Sequence, residues 1–264
     1  GHTHNRLETS VQIGNTTLIQ SGSQSSFIGK LELTLENDRL KHIEHQLISI
    51  TEDIPEDPAL KLKVEEALSP FRKQLDVIVG STEVNLHRGL NLEGPLDNFL
   101  LDAIVHHTGS DVAFSNGWRY GAPIVKGDIT LRELFQIIPM NPPISTAELT
   151  GDEIWEMLEE NLENTYSGNP YHQMGGYLKR AVGLHTYLKV ENPKGMRIQK
   201  LFIGENEIDR AKVYSVSYVT HQGVPKKYGK NHKHLEMQAV QAMQEYLSEN
   251  SPYNQPIKET FRLI

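Results

Sequence analysis

The first fifty residues alternate apolar and polar positions in short runs, a pattern that predicts β-strands. VQIGN and TTLIQSGS form two such runs around a turn, and FIGKLELTLENDRLKHIEHQLISI alternates on both sides of ENDR, as in a β-hairpin. The acidic segment TEDIPEDPAL then carries two prolines, and ALKLKVEEALSPFRKQL spaces its apolar residues as a helix does until Pro70 interrupts the pattern. We therefore place a domain boundary near residues 51–58.

Beyond this boundary, predicted helices and strands interleave. Six segments are strand-like: LDVIVGS, DVAFSN, VGLHTYLKV, RIQKLFIG, VYSVSYV and KETFRLI. Two longer segments are predicted helices: PLDNFLLDAIVHH and HLEMQAVQAMQEYLSEN. TLRE, with Thr130 and Glu133, and TGDE, with Thr150 and Glu153, have the spacing of a helix capping box. Because the spacing is not that of a regular βαβ repeat, we expect an α/β fold of the mixed α+β type with antiparallel strand pairs.

Composition narrows the functional classes. The chain has 264 residues, a formal net charge of -8 and no cysteine. The acidity argues against a partner that is a nucleic-acid polymer, because such binders concentrate positive charge. No segment approaches the roughly 20 apolar residues of a membrane-spanning helix. The lack of cysteine removes disulfide frameworks and thiolate chemistry, and leaves the redox compartment open.

Two segments carry candidate chemistry. In GHTH, an extended backbone would place His2 and His4 on the same side, where neutral imidazoles can ligate a metal, although histidines near a chain end are also often simply exposed. In FSNGWRYGAPIVKGDIT, Asn116 ends a strand and Arg119 follows the Gly117 turn, which suits recognition of an oxyanion. The alternative is an ordinary turn with Arg119 paired to a surface acid.

Other segments are less specific. NPYHQMGGYLKRAVG combines tyrosine, histidine, glutamine and arginine that could line a pocket, but a long surface loop is an equally simple interpretation. HKHLE reads as the exposed entrance of a helix. A P-loop, a GxGxxG motif and a GxSxG motif are all absent from the sequence, which argues against classical nucleotide binding and acyl transfer.

Six segments, taken in order, resemble landmarks of the 5′-nucleotidase family. They are GHTH, QSGSQSSFIGKLELTL, LDNFLLDA, FSNGWRYGAPIVKGDIT, ELTGDEIWEMLE and YHQMGGYLKRAVGLHTYLK. The resemblance implies a 5′-nucleotidase C-terminal fold preceded by the last strands of a metallophosphoesterase domain. Residues 1–50 would be the remnant of that domain, residues 51–72 a linker and helix, and residues 73–264 the substrate-specificity domain.

The same resemblance implies a dimetal enzyme whose chemistry is shared with residues ahead of this chain. His2 would serve one divalent ion and His4 the other, the ions being Mn, Zn, Co or Mg, while the other family ligands would precede Gly1. The 264-residue chain alone is therefore expected to hold no ions stably and to be inactive. Its expected partners are a nucleotide substrate and the N-terminal metallophosphoesterase domain.

Substrate contacts follow from the resemblance residue by residue. Asn116 and Arg119 fall on the family's ligand-reaching asparagine and arginine, and Arg88 falls near another family arginine. Met140 aligns with the first of two aromatic base-stacking positions, and its neighbour Asn141 joins the predicted contact set. The second aromatic position aligns with Val219 or, after a one-residue slip, with Tyr218, and these two side chains would lie on opposite faces of their strand.

Three interpretations stay open at this point. The first is a nucleotidase or cyclic-nucleotide phosphodiesterase with an altered base pocket. GWRYG and NPYHQMGG look closer to the SoxB-type thiosulfohydrolases, so the second is a hydrolase of another phospho- or sulfo-ester. The third is a non-catalytic ligand-binding domain. By family resemblance, the protein would be periplasmic, secreted or attached to the cell surface.

Overall fold

A computed structural model of the chain describes residues 4–89, 91–117, 121–174 and 177–264. Within these ranges the chain divides into two compact units, one ending at Pro70 and the other beginning at Phe71. The second unit mixes helices with parallel and antiparallel strands, as the predicted α+β fold requires.

The first unit is built from hairpins. Strand β1 (Val11–Ile13) pairs with β2 (Thr16–Leu18), and β3 (Phe27–Glu36) pairs with β4 (Arg39–Ser49), both antiparallel. Asn37 and Asp38 form the turn of the second hairpin in the left-handed region, with φ of 52° and 57°. Asparagine and aspartate tolerate this conformation better than other non-glycine residues, which explains why ENDR makes a tight turn. The hairpins predicted from the sequence are confirmed.

Helix α1 (Pro58–Leu75) corrects one expectation. Pro70 was expected to interrupt the helix, but the helix continues to Leu75 with Pro70 inside it. A proline removes only one backbone donor, and the following turn closes normally, since the Asp76 N–H binds the Arg72 carbonyl oxygen at 2.9 Å. The helix therefore passes the proline instead of ending there.

Apolar side chains of the β3–β4 hairpin are not covered. Leu31 lies opposite His45, and Leu33 lies opposite Ile43, so these side chains share one face of the hairpin. Leu31 is 41% exposed and Leu33 is 58% exposed. Among the described residues, none that precedes Thr82 is buried. The described part of the first unit thus has no buried core of its own.

The second unit carries the remaining regular structure. In chain order its elements are β5 (Ile78–Thr82), α2 (Pro95–Thr108), β6 (Val112–Ser115), β7 (Gly127–Thr130), α3 (Leu131–Ile137), β8 (Pro143–Thr150), α4 (Gly151–Tyr166), a 3₁₀ turn (Pro170–His172), β9 (Arg180–Val182), β10 (Leu184–Leu188), β11 (Ile198–Ile203), β12 (Asn206–Glu207), β13 (Val213–Val219), α5 (Thr220–Gly223), β14 (Lys230–Gln238), α6 (Ala239–Asn250) and β15 (Phe261–Leu263). Among the described residues, no helix has the length and apolarity needed to cross a membrane.

A five-stranded sheet in the order β14-β8-β13-β6-β9 organises this unit. Strands β6 and β13 are parallel, whereas β8 is antiparallel to β13 and β9 is antiparallel to β6. Two further sheets have the orders β12-β11-β10-β15 and β5-β7. One buried cluster contains Phe99 of α2 and Val219, and the other contains Phe114 and Leu162 of α4.

The sequence predicts the starts of α3 and α4 correctly, but not the start of α6. The Thr130–Glu133 and Thr150–Glu153 capping boxes both form, which confirms the predicted starts of α3 and α4. HLEMQ, predicted to begin a helix, instead belongs to β14, and α6 starts only at Ala239. Pairing with β8 overrides the helical pattern, because His234 lies opposite Ser145 in the sheet.

Candidate functional site

Four strand ends meet at one edge of the five-stranded sheet. Since β6 and β13 are parallel, both carboxyl ends lie at this edge. Since β8 and β9 run in the opposite direction, their amino ends lie there too: Ile144 pairs with Val219, and Arg180 pairs with Ser115. The residues that follow β6 and β13 and precede β8 and β9 therefore gather at what we call the site edge. Ligands commonly bind where such strand ends and their loops converge.

Three of the predicted contact residues are at the site edge because of this topology. Asn116 directly follows β6, and its Nδ2 donates to Gln222 Oε1 at 3.3 Å. Met140 and Asn141 precede β8. Met140 is 84% exposed, so its apolar surface is open to a ligand.

Asn141 already has a structural role. Its Nδ2 donates to Gln238 Oε1 at 2.8 Å, and its Oδ1 accepts the Val240 N–H at 2.8 Å. The second bond satisfies a free amide in the first turn of α6, as a capping side chain does. Asn141 has φ of 39°, a left-handed conformation that asparagine tolerates. The side chain of Asn141 thus fixes the start of α6 beside the site edge.

Arg88 lies in a buried charge network. Its Nε donates to Asp97 Oδ1 at 2.8 Å and its Nη2 donates to the Ile137 carbonyl oxygen at 3.0 Å. The other oxygen of Asp97 is 3.3 Å from Arg180 Nε, and Arg180 Nη1 donates to the Asn91 carbonyl oxygen at 2.9 Å. Asp97 is completely buried, so the two guanidinium groups compensate its charge.

The Asp97–Arg180 pairing was missed from the sequence. Asp97 and Arg180 are 83 residues apart, and only the packing of α2 against β9 brings them together. The sequence gives only a weak indication of this pairing: Asp97 lies in the first turn of a predicted helix, a position that favours acidic residues in any case. The predicted contact between Arg88 and a ligand stays a prediction, and the structure adds that its guanidinium is held by Asp97.

Both alternatives for the second aromatic position are buried. Tyr218 is 4% exposed, and its hydroxyl is 2.8 Å from His232 Nδ1. His232 Nε2 is 2.9 Å from the Tyr228 carbonyl oxygen, so Nε2 carries the hydrogen and Tyr218 donates to Nδ1. Burial raises the pKa of Tyr218 above its ordinary value. Val219 is completely buried in the opposite cluster, which confirms that the two side chains lie on different faces of β13.

The predicted metal ligands are only partly covered by the structure. His2 and Arg119 lie outside the described residues. His4 is exposed and has φ of 58°. Across the described ranges, histidine, aspartate and glutamate form no group of three or more that could hold a metal ion. These residues alone do not fit the pair of ions that the family resemblance implies, and the metal roles of His2 and His4 stay predictions.

A buried lysine is an unexpected feature of the site edge. Lys179, directly before β9, is 5% exposed, and its Nζ donates to the Gln222 carbonyl oxygen. Burial lowers the pKa of this amine to about 8, although the negative charge of Glu160 opposes part of that effect. Burying a charge next to so few compensating groups is costly, and such groups concentrate at functional sites.

A second candidate location is a cavity that none of these groups lines. It has a volume of about 620 Å³ and mostly apolar walls. Its lining residues are Asn91, Leu92, Glu93, Tyr166, Val190, Ile257, Glu259, Phe261, Arg262 and Leu263. None of the predicted contact residues that the structure describes lines this cavity, so it is a distinct alternative location for a ligand.

Comparison with known proteins decides the family. The family model described as 5′-nucleotidase, C-terminal domain, matches residues 75–223. The chain belongs to this family. The matched range contains Asn116, Met140, Lys179 and Gln222, so the whole site edge lies inside the family domain.

Curated relatives are distant and much longer. The chain is 26% identical to the trifunctional nucleotide phosphoesterase protein YfkN of Bacillus subtilis over 227 residues, which are 81% of this chain and 15% of YfkN. It is 27% identical to protein UshA of Yersinia enterocolitica over 169 residues, which are 54% of this chain and 30% of UshA. The chain therefore spans less than a third of the length of the curated relatives that it matches here.

Solved structures confirm the predicted fold. The sulfate thiohydrolase SoxB of Thermus thermophilus, solved with glycerol, superposes with a TM-score of 0.90 at 20% identity, over 100% of this chain and 49% of SoxB. A 5′-nucleotidase precursor, also of Thermus thermophilus, superposes with a TM-score of 0.83 at 19% identity, over 97% of this chain and 54% of that protein. At such low identity, these likenesses concern the fold alone.

Proposed function

We propose that this chain is the substrate-binding portion of a 5′-nucleotidase-type phosphoester hydrolase that acts on nucleotides or cyclic nucleotides. The observation that carries the proposal is the meeting of four strand ends, with Asn116 and the exposed Met140, inside the matched family domain. The similarity to YfkN, which is named a trifunctional nucleotide phosphoesterase, supports this substrate class. Arg88, Arg119, Asn141 and Tyr218 complete the proposed contact set.

Hydrolysis is proposed to depend on a metallophosphoesterase domain that supplies the remaining metal ligands. His2 and His4 would each contribute to one of two divalent ions (Mn, Zn, Co or Mg), which would supply the activated water and neutralise charge at phosphorus. The uncovered apolar face around Leu31 and Leu33 supports the need for such a domain, since a two-stranded hairpin is barely stable without a packing partner.

The role of this chain's own residues is then to bind and orient. An amide such as that of Asn116 can donate to and accept from polar edges of a nucleotide, and an exposed apolar side chain such as Met140 can lie against its base. A periplasmic, secreted or cell-surface location belongs to the same proposal and rests on the family resemblance. Fractionation of the source cells tests it, and recovery of the protein with cytosolic markers would contradict it.

The experiment compares the 264-residue chain with a protein that joins it to a metallophosphoesterase domain. Adenosine monophosphate, cyclic adenosine monophosphate and an S-sulfonated thiol are offered to each protein with Mn²⁺, Co²⁺ or Zn²⁺. We expect the joined protein to release phosphate from the nucleotides and the isolated chain to release none. Turnover of the sulfonated thiol alone would favour a SoxB-type reaction, and turnover by the isolated chain would contradict the division of roles.

An Asn116→Ala variant of the joined protein tests the site edge itself. We expect a rise in KM of about tenfold with a smaller change in kcat, because the amide contributes to binding away from the metals. Gln199→Ala, an exposed amide on β11, is the matched control. Equal KM values for the Asn116 variant and its control would remove Asn116 from the site.

A further inference from the structure

We infer that Lys179 is a positioning residue, which holds the turn after β13 and thereby places the amides of Gln222 and Asn116 at the site edge. The inference adds a residue to the proposed nucleotide site and rests on that proposed function. Three short segments are in contact at the site edge: residues 116–117 after β6, residues 177–179 before β9, and residues 220–223 after β13.

The turn after β13 is held from two sides. The Lys179 amine donates to the backbone carbonyl oxygen of Gln222, and Asn116 Nδ2 donates to the side-chain oxygen of the same residue at 3.3 Å. One glutamine thus connects the buried lysine to the proposed contact residue. A shift of the Gln222 backbone would move the acceptor that orients the Asn116 amide.

The segment that carries Lys179 is fixed in turn by α4 and by a glycine. Asn161 of α4 uses both amide atoms: its Oδ1 accepts the Lys179 N–H at 2.7 Å, and its Nδ2 donates to the Tyr177 carbonyl oxygen at 3.2 Å. A Cβ atom at Gly117 would lie 2.8 Å from the Leu178 carbonyl oxygen, so only glycine lets the two segments approach this closely. Lys179 therefore acts from a rigid support.

The turn itself is strained, which is why it needs holding. Thr220 has φ of 61°, a left-handed conformation that is a genuine outlier for a β-branched residue. Its Oγ1 is buried and has no hydrogen-bond partner within the described part of the chain. The neighbouring Gly223 is closely packed, because a Cβ there would lie 3.0 Å from the Phe114 carbonyl oxygen. Strain of this kind persists where the surrounding structure enforces it, and it is concentrated at ligand sites.

A purely structural role explains the lysine less well. An ammonium group has three donors, and a methionine of similar length would fill the same space without burying a charge. The Gln222 carbonyl oxygen is the one hydrogen-bond acceptor of the Lys179 amine among the described residues. Glu160, the carboxylate whose charge opposes the lowered pKa of Lys179, is already bonded to Lys227 and to the Tyr228 hydroxyl. The Lys179 amine is thus bonded to the turn after β13 and, among the described residues, to no carboxylate.

The test uses the full chain, the variants Lys179→Met and Lys179→Arg, and Lys200→Met as the control for loss of an exposed lysine on β11. The first readout is the pair of Asn116 side-chain amide signals in a ¹⁵N–¹H spectrum without ligand. We expect Lys179→Met to shift these signals and Lys200→Met to leave them in place. Unmoved Asn116 signals in the folded Lys179→Met protein would overturn the inference whatever the protein binds.

The second readout is the affinity for adenosine monophosphate, measured by calorimetry. We expect Lys179→Met to weaken binding about tenfold without lowering thermal stability at pH 7, and Lys179→Arg, which keeps a donor, to recover most of the loss. If the unmodified chain binds no adenosine monophosphate, the proposed function fails while the spectral test of Lys179 still stands. Equal weakening by the Met and Arg variants would contradict the positioning role.

Discussion

The hairpin unit that ends at Pro70 and the compact unit that begins at Phe71 use the same kinds of residue in opposite ways. Leu33 and Leu35 of the hairpin are 58% and 64% exposed, whereas Phe99 and Leu162 of the compact unit are completely buried. The ion pairs of the two units differ in burial in the same way: the Lys41–Glu36 pair is exposed, and the Arg88–Asp97 pair is buried. Stability is therefore expected to come mainly from the unit that begins at Phe71, while the hairpin contributes little by itself.

The largest effect should come from the cores. Phe99→Ala is expected to lower the free energy of unfolding by about 4 kcal/mol, because it removes a fully buried ring and leaves a cavity. Leu33→Ala in the isolated chain should change it by roughly 0.5 kcal/mol or less, because the side chain is already in contact with solvent. Chemical denaturation of the two variants measures both values. Equal losses would erase the distinction between the units.

The buried charges come next. Asp97→Asn should cost about 3 kcal/mol, since it leaves Arg88 and Arg180 buried without a compensating negative charge. Glu36→Gln, which neutralises one member of the exposed pair in the hairpin, is the matched control and should cause no measurable change. Denaturant midpoints at constant slope give the comparison. An Asp97→Asn protein as stable as its control would show that the buried network contributes nothing.

The pH dependence of stability isolates Lys179. Burial lowers the pKa of Lys179 to about 8 in the folded protein, whereas the exposed lysine of the unfolded chain has the ordinary pKa of 10.5. Between these pH values the unfolded chain therefore binds more protons than the folded one. Stability should therefore rise with pH across this window. Between about pH 7 and about pH 9.5, the free energy of unfolding of the unmodified chain should rise by about 2 kcal/mol more than that of Lys179→Met. Parallel curves for both proteins would mean that Lys179 titrates normally.

The smallest effect concerns backbone strain. Thr220→Gly should raise the free energy of unfolding by about 1 kcal/mol, because glycine adopts a φ of 61° without the clash that a Cβ causes. Thr17→Gly on β2, where the backbone is extended, is expected to be neutral or destabilising. Thermal melts of the two variants test this difference. A loss of stability in Thr220→Gly would show that the left-handed conformation is not strained.

Local patterns in the sequence were enough for much of the fold. The hairpin around ENDR and the capping boxes at Thr130 and Thr150 depend on residues within a few positions of each other, and they formed as predicted. HLEMQ was misread because its partner strand β8 lies more than 80 residues earlier in the chain. Where a distant strand pairs with a segment, that pairing overrides the local pattern.

The candidate site follows the same rule. The position of Asn116 at a strand end could be read from DVAFSN followed by glycine, and the structure places it at the site edge. The roles of Asp97, Lys179 and Gln222 could not be read, because each depends on partners brought together by the order of strands in the sheet. Sequence patterns thus identified the loop, and the topology identified its neighbours.

A titration of the isotope-labelled chain with adenosine monophosphate, followed in ¹⁵N–¹H spectra, tests the central claim most directly. The claim is that the chain binds a nucleotide at the edge where β6, β8, β9 and β13 meet, without any metal domain attached. We predict saturable shifts that concentrate on residues 116–117, 140–141, 179 and 220–223, and that need about ten times more nucleotide to saturate in Asn116→Ala. Shifts centred on the cavity lined by Tyr166 and Phe261, or no shifts at millimolar nucleotide, would contradict it.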